Sequence, residues 1–281
     1  MKIGIVLEGG AMRGVFSAGV LDVFLEHGIE PDLCLGVSAG ACLACSFLCK
    51  QKGRGFAVMT DYLENKDYCS VSSLVRTGDL FGAEFLYHTI PEQLYPIDNE
   101  AFLQGTTDFF VVVTNCETGK AEYLPVKDMF RDVDAVRASS SLPLLARTVF
   151  LDRKPYLDGG VSDPVPVQKA LEMGCDKIIV VLTRHRSFRK SPEKAVPLVK
   201  LKYRNYPNLV QDMKIRHRVY NDTLDRISDL EKGGKIFVIA PEKPLKISRA
   251  EKDMNLLNDG YRQGKDLALR RMPNLLDYLK K

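Results

Sequence analysis

The chain has 281 residues, 45% of them hydrophobic and 27% charged, values that exclude wholesale disorder and fibrous repeats and leave room for a sizeable core. Its formal net charge of +4 conceals an uneven distribution: residues 184–218 hold 11 Lys and Arg against two acids, Glu193 and Asp212, a net of +9. The other 246 residues sum to −5, so a uniformly basic nucleic-acid coat is excluded whereas a local anionic partner is not.

Residues 2–7 form a short β-branched run that reads as a strand, followed by a glycine-rich turn at 9–14. Residues 15–27 space Val15, Ala18, Gly19, Leu21, Val23, Phe24 and Leu25 as an amphipathic helix does, and Gly28 stops it. A second apolar strand is expected at 33–37, and 39–49, nearly all small or apolar, reads as a helix buried on most sides. This order opens a parallel α/β sheet. Residues 53–96 read as mostly helix and loop. Beyond them lie a strand at 108–114, a turn at 117–120 into a strand at 121–126, and a helix at 133–141 closed by Pro143. Residues 148–151 and 154–157 flank Asp152-Arg153 as a hairpin. A helix at 167–173, an apolar strand at 176–182 and a last strand at 235–240 follow, and helix-like patches alternate from about 248. Strands from both ends of the chain read as one sheet, so a single domain over 1–281 is expected, with a basic insertion at about 184–218 and a helical tail.

Seven cysteines, Cys34, Cys42, Cys45, Cys49, Cys69, Cys116 and Cys175, are an odd number set in apolar runs, which argues against a disulfide framework. Cys42, Cys45 and Cys49 could form a three-thiol set. No second C-x-x-C accompanies them, so they read as small buried hydrophobes and no metal is expected. The N-terminal apolar run is too short for a secretion signal, and no stretch approaches the roughly 20 apolar residues of a membrane span. The expected compartment is the reducing cytoplasm.

Gly36-Val37-Ser38-Ala39-Gly40 is a G-x-S-x-G between a strand and a helix, the context of a nucleophile elbow. Gly36 and Gly40 let a tight backbone lift the Ser38 hydroxyl clear of the sheet, and the helix that follows aims its first amides at the site. The competing reading is a turn serine that caps a helix. A nucleophilic serine needs a base. Among His27, His88, His185 and His217 none stands in a special context; a Ser–Asp–His order would require His185 or His217, both inside the basic stretch. Asp158-Gly159-Gly160 is a better partner, an Asp at a strand end whose two glycines leave its carboxylate uncrowded, although alone it also reads as an Asp-Gly turn. The loop Glu8-Gly9-Gly10-Ala11-Met12-Arg13-Gly14 can gather successive N–H groups into one concavity. A dinucleotide fingerprint would need glycine at Ala11 and an acid at Val37, and a P-loop would need Gly-Lys-Ser/Thr where Gly14 precedes Val15. An oxyanion hole needs only amides near Ser38, and adjacent parallel strands would bring them there.

A glycine-rich loop after strand one, G-x-S-x-G after strand two and a distant Asp-Gly-Gly resemble, in that order, the patatin-like phospholipase family. The tract Arg137-Ala138-Ser139-Ser140-Ser141-Leu142-Pro143 resembles the family's serine-and-proline block, and the tail around residues 237–244 resembles its bacterial branch. The resemblance implies a three-layer α/β/α fold with a mostly parallel central sheet. It also implies ester hydrolysis through an acyl-enzyme by a Ser38–Asp158 dyad, without histidine, metal or cofactor. The loop Gly9, Gly10, Ala11 and Gly14 would form the oxyanion hole. Two positions depart from the family pattern: Ala11 stands where a third glycine is common, and Glu8 where Asp is common. If position 11 needs positive φ, Ala costs about 1 kcal/mol there. Arg13 reads either as a contact to a substrate phosphate or as a surface ion pair.

The substrate implied is a phospholipid or lysophospholipid ester. A small soluble ester or thioester is the enzymatic alternative, and a weakly catalytic lipid-binding or regulatory protein the non-enzymatic one. The 184–218 stretch reads as a solvated helical excursion or as a surface for peripheral contact with an anionic membrane, its Lys200, Lys202 and Arg204 interleaved with Leu201 and Tyr203. Nucleic acid ranks last among anionic partners because no recognition module is present.

Overall fold

The computed structural model describes residues 1–280. Eight strands form one sheet: β1 (Ile3–Leu7), β2 (Leu33–Val37), β3 (Asp108–Asn115), β4 (Ala121–Val126), β5 (Val149–Leu151), β6 (Lys154–Asp158), β7 (Lys177–Val181) and β8 (Ile236–Ile239). Their order is β5-β6-β3-β2-β1-β7-β8, with β4 paired to β3. The pairs among β3, β2, β1, β7 and β8 are parallel; those of β3 with β4 and β6, and of β5 with β6, are antiparallel.

The helices are α1 (Gly14–Glu26), α2 (Ala39–Leu48), α3 (Arg54–Thr60), α4 (Val71–Thr77), α5 (Asn99–Gln104), α6 (Val133–Ser139), α7 (Val167–Glu172), α8 (Val196–Lys202), α9 (Pro207–Lys232) and α10 (Met254–Lys280), with a π-helical turn at Phe85–Leu94. Because strand side chains alternate faces, Ile5 and Leu7 join the core beneath α1, α2 and α10, while Val6 joins a second core beneath α7 and α9. The result is the three-layer α/β/α architecture with a mostly parallel sheet. The strands are nearly continuous apolar runs because both faces are covered.

One register places the functional loops. β4 occupies one edge of β3 along residues 109–114, so β2 and β6 share the other. They approach from opposite directions and end head to head: Val37 pairs with Val112, and Asp158 with the next residue, Val113. The chain leaves both strands at the same point of the sheet.

The C-terminal third differs from its expected form. The tail is one 27-residue helix, not separate patches. The basic stretch is not a solvated excursion: its last third, residues 207–218, begins the 26-residue α9, where Leu209, Val210 and Met213 pack with Leu157 and Val161. α10 crosses α1 at glycines. A Cβ on Gly264 would overlap the Phe16 carbonyl, and one on Gly19 would overlap the Tyr261 carbonyl. Backbone therefore lies directly on backbone at this crossing. Gly264→Val is expected to lower unfolding free energy in urea by about 1–3 kcal/mol, the range for overpacking a closed interior; an unchanged midpoint would show that the crossing yields freely.

Candidate active site

β2 ends into the elbow. Ser38 holds φ 54° and ψ −125°, a region costly for a residue with a Cβ. The turn is crowded enough to require its glycines: a Cβ on Gly36 would meet Ala41, and one on Gly40 would overlap the Leu7 carbonyl. The Ser38 carbonyl accepts from the Ala41 and Cys42 amides, which continues the turn into α2. Gly159, where β6 gives way to a 3-10 turn, likewise has no room for a Cβ, since one would overlap the Val112 carbonyl.

Ser38 Oγ donates to Asp158 Oδ2 at 2.7 Å. Asp158 is 1% exposed; its other oxygen accepts the Gly160 amide at 2.7 Å, and its own carbonyl accepts from Thr114 Oγ1 at 2.8 Å. Burial raises the Asp158 carboxyl above the usual range, an effect opposed by Arg216, by the Ser38 hydroxyl and by the Gly160 amide. The serine tract braces both residues. Ser38 donates its amide to Ser139 Oγ at 3.0 Å, and Asp158 donates its amide to the Ser141 carbonyl at 2.9 Å.

The loop after β1 lies over Ser38, and a Cβ on Gly9 would meet the Ser38 Cβ at 2.8 Å. Ala11 adopts φ 48°, the conformation that favours glycine. Among the described residues, the Gly10 and Ala11 amides donate to no protein acceptor, whereas Arg13 donates to Gly10 and Met12 to the Arg249 carbonyl. Gly14 departs from its expected place in the hole. Its amide is used on the Ala11 and Met12 carbonyls, and its Cα faces Ala39 and Leu43 as a packing position that starts α1. Glu8 is engaged at both oxygens, accepting from the Thr183 amide at 2.6 Å and the Tyr220 hydroxyl at 2.6 Å, while Thr183 Oγ1 donates to the Gly9 carbonyl at 2.7 Å. It ties the ends of β1 and β7 to α9.

Two clefts meet at Ser38, with Ala11 and Leu142 also lining both. One, of about 690 Å³, is apolar, with Met12, Leu43, Val58, Met59, Phe81 and Leu86 among its walls. The other, of about 620 Å³, is polar and contains Asp158, Glu8 and the cations Arg13, Arg184, Lys190, Arg216 and Arg249.

Arg13 is not the surface ion pair expected as one of its readings: it is 8% exposed and its Nε has no partner among the described residues. Burial, then Arg184, bring its pKa down to about 10, and burial with Arg216 brings Lys190 down to about 7. Arg216 Nε donates to the Gly160 carbonyl at 2.7 Å.

No histidine lines either cleft. His27 contacts the Val23 carbonyl, His88 pairs with Glu92, His185 contacts Ser187, and His217 is half-buried on α9. Cys42, Cys45 and Cys49 follow α2 with thiols pushed up by burial, and among the described residues no three His, Cys, Asp or Glu side chains are grouped to hold a metal ion. The inward cations were hidden in the sequence, where a charge total carries no direction. Two signals were available. Thr183 and Arg184 follow a strand parallel to β1, so they emerge beside Glu8, and Arg216 and Tyr220 are four apart on one helix face.

A serine on a strand–turn–helix elbow, beside a carboxylate and at the carboxyl edge of a parallel sheet, belongs to an α/β ester hydrolase. A patatin-like phospholipase family model matches residues 5–171, and a second, a domain of unknown function (DUF6363), matches residues 206–280. The chain belongs to the patatin-like phospholipase family, which brings a phospholipase-like, ester-hydrolysing activity. It is 30% identical over 270 residues to the uncharacterized protein YjjU of Escherichia coli (strain K12), covering 94% of this chain and 75% of that one. It is 28% identical over 191 residues to lysophospholipase nte1 of Aspergillus niger, covering 64% of this chain but only 12% of that relative's length. VipD from Legionella pneumophila, a solved structure, aligns with a TM-score of 0.49 at 13% identity over 97% of this chain and 67% of that one.

Ala11→Gly tests the loop geometry. Removing the Cβ at positive φ is expected to stabilise the fold by about 0.5–1 kcal/mol, read as a higher denaturation midpoint; destabilisation would show that the Ala11 methyl contributes more by packing than its backbone loses to strain.

Proposed function

We propose that the protein hydrolyses phospholipid or lysophospholipid carboxylic esters through a Ser38–Asp158 dyad and an acyl-enzyme. The observation that carries this reading is the 2.7 Å hydrogen bond from the strained Ser38 to a buried carboxylate, beneath the free amides of Gly10 and Ala11. Ser38 Oγ attacks the ester carbonyl carbon while its proton passes to Asp158 Oδ2. The carbonyl oxygen becomes an oxyanion that accepts from the Gly10 and Ala11 amides. The intermediate collapses, Asp158 returns the proton to the departing alcohol, and the acyl group stays on Ser38. Water then repeats the sequence, with Asp158 as base, and releases the fatty acid. A raised carboxyl pKa suits this role, since it narrows the gap to the serine proton it must accept.

The apolar cleft supports a long acyl chain over a small acyl group, and the lysophospholipase name of one relative agrees with that choice. Ser38→Ala should abolish turnover, and Asp158→Asn should lower kcat by about 10²–10⁴-fold with the fold intact. Retention of near-normal rates by Asp158→Asn would sink the dyad. The pH dependence has a definite sign. Only ionised Asp158 accepts the proton, so activity falls as pH falls through a pKa above the usual carboxylate value of about 3.9. Arg216 favours the ionised form, so Arg216→Gln should move this acid limb to higher pH; a shift to lower pH would contradict the proposed coupling. The same raised pKa means that the Asp158 contribution to stability is greatest below its unfolded value and is lost as pH rises through the folded one.

We also propose that the rim rests on an anionic lipid surface. Val71 and Val75 on α4, and Leu198 and Leu201 on α8, are 60–82% exposed, and the exposed Lys200 and Lys202 stand on either side of Leu201. Both helices border the segment that follows Leu142. Leu80 donates to the Leu145 carbonyl, and the Leu144 amide donates to the Tyr203 hydroxyl. In this reading the exposed apolar side chains and cations serve as anchors near the Leu142 segment, which lines both clefts. No helix among the described residues is long and apolar enough to cross a membrane. Leu198→Ser with Leu201→Ser should reduce cosedimentation with phosphatidylserine-containing vesicles about tenfold, by loss of buried apolar area; undiminished binding would place the contact elsewhere.

A further inference from the structure

The polar cleft carries more positive charge than hydrolysis of a neutral ester requires. Arg13, Arg184, Lys190, Arg216 and Arg249 line it, and its two carboxylates are already committed, Glu8 to Thr183 and Tyr220, Asp158 to Ser38 and Gly160. Elsewhere in the same stretch the protein pairs its cations, Arg186 with Glu231 and Arg189 with Asp225. None of the five cleft cations has such a carboxylate partner among the described residues. Asp158 and, from outside the cleft, Glu193 act on Arg216 through space without an ion-pair contact, and the Glu193 carboxylate accepts the Ala195 amide. Arg13, 8% exposed, lines the cleft, and its buried Nε has no partner among the described residues. A buried, unpaired guanidinium in a field of like charges is costly unless an anion completes it.

We propose that this cleft is a head-group subsite for a terminal, doubly charged phosphate, so that the preferred substrate is a monoacyl ester whose leaving alcohol carries a phosphate monoester. The inference rests on the Ser38–Asp158 reading above. Asp158 lines the polar cleft and not the apolar one, so the proton it returns is delivered on the polar side, where the leaving alcohol must lie. One apolar cleft opens at Ser38, which accommodates one acyl chain. A phosphate monoester offers about −1.5 to −2 charges and three acceptor oxygens, matched by four guanidinium forks and an ammonium.

A choline head group fits poorly. Its quaternary ammonium would meet five cations, and the aromatic faces able to cradle it are covered by the protein itself. Arg184 lies over Phe188 at 4.4 Å, and Lys190 over Tyr220 at 4.7 Å. Two of the cations, Arg216 and Arg249, come from the region matched only as a domain of unknown function. Part of that region's role is thereby assigned to substrate selection.

The test compares three substrates with the same oleoyl chain: lysophosphatidate, lysophosphatidylcholine and monooleoylglycerol. The wild-type chain should favour lysophosphatidate in kcat/KM by about tenfold or more over each of the others, mainly through KM. Lys190→Gln with Arg249→Gln should remove most of that preference, while the charge-preserving Lys190→Arg with Arg249→Lys should retain it. Ser38-dependent hydrolysis without a lysophosphatidate preference overturns the subsite and leaves the hydrolase reading standing. Absence of Ser38-dependent hydrolysis of all three fails the hydrolase reading instead, and a binding arm then decides the subsite. Calorimetry on the Ser38→Ala chain should show glycerol 3-phosphate binding more tightly than inorganic phosphate, and loss of that binding in the Lys190→Gln, Arg249→Gln background. Equal binding of the two, which marks a free-anion site, or no binding of either, overturns the proposal.

Discussion

Everything at the site depends on two strands sharing one edge of β3. Val37 and Asp158 pair with consecutive residues, Val112 and Val113, and approach from opposite directions. The chain must therefore turn out of the sheet twice at one place. The turns have little room: Gly159 and Gly40 each sit where a Cβ would overlap a carbonyl. The two residues that leave the strands there are Ser38 and Asp158, separated by 120 positions in sequence and joined by one hydrogen bond. Backbone pairing, not side-chain flexibility, sets their distance, and rigid support of this kind holds a reactive geometry within a fraction of an ångström.

The site is strained and charged, and the surrounding structure offsets both. Ser38 and Ala11 hold positive φ, at about 1–2 kcal/mol each for residues with a Cβ. The Ser38 turn is held by the start of α2 and by Ser139, and Gly10 is fitted against Thr183. Glu8 tolerates burial because the Thr183 amide and the Tyr220 hydroxyl each satisfy one of its two oxygens. The longer side chain in place of the more usual Asp spans from β1 to both Thr183 and Tyr220, which lie on different elements. No comparable compensation exists for Arg13. Unmet polar capacity thus remains on Arg13, a residue of the polar cleft, where a ligand can meet it.

The regular elements were legible because both faces of the sheet are covered. The apolar run of β2, the turn before β4 and the Asp152-Arg153 turn of the β5–β6 hairpin mark those strands to within a residue or two. Three site features were legible as motifs, because a tight turn at a strand end leaves a glycine signature. What escaped was direction. The excess charge of residues 184–218 is plain in composition, yet its side chains divide into surface ion pairs, an exposed set on α8 and an inward set around Asp158. Only the packing of α9 on the sheet decides which is which. The length of α10 escaped for a related reason. The tail contains Gly260, Gly264 and Pro273, poor helix formers by themselves, whereas in the fold the two glycines are contact points, Gly264 on the Phe16 carbonyl and Gly260 against Val15 and Ile247.

The boundary between the two matched family regions does not coincide with a boundary in the fold. β8, from the second region, pairs in parallel with β7, and α10 lies backbone to backbone on α1 from the first. The link reaches the site itself: Arg216 of α9 holds the Gly160 carbonyl, and Gly160 in turn donates to Asp158. We propose that the two regions fold and act as one unit. The second region contributes an edge strand whose partner, β7, lies outside it, between the two matched regions, and two helices whose apolar faces are covered largely by the shared sheet and α1. Separated, it would expose both a strand edge and two apolar helix faces, an arrangement that favours aggregation over independent folding. The first region alone would lose Arg216, and with it the cation that opposes the rise in the Asp158 pKa. Its loss would favour the protonated carboxyl, which cannot accept the serine proton, so in this proposal the second region supports the chemistry as well as the fold.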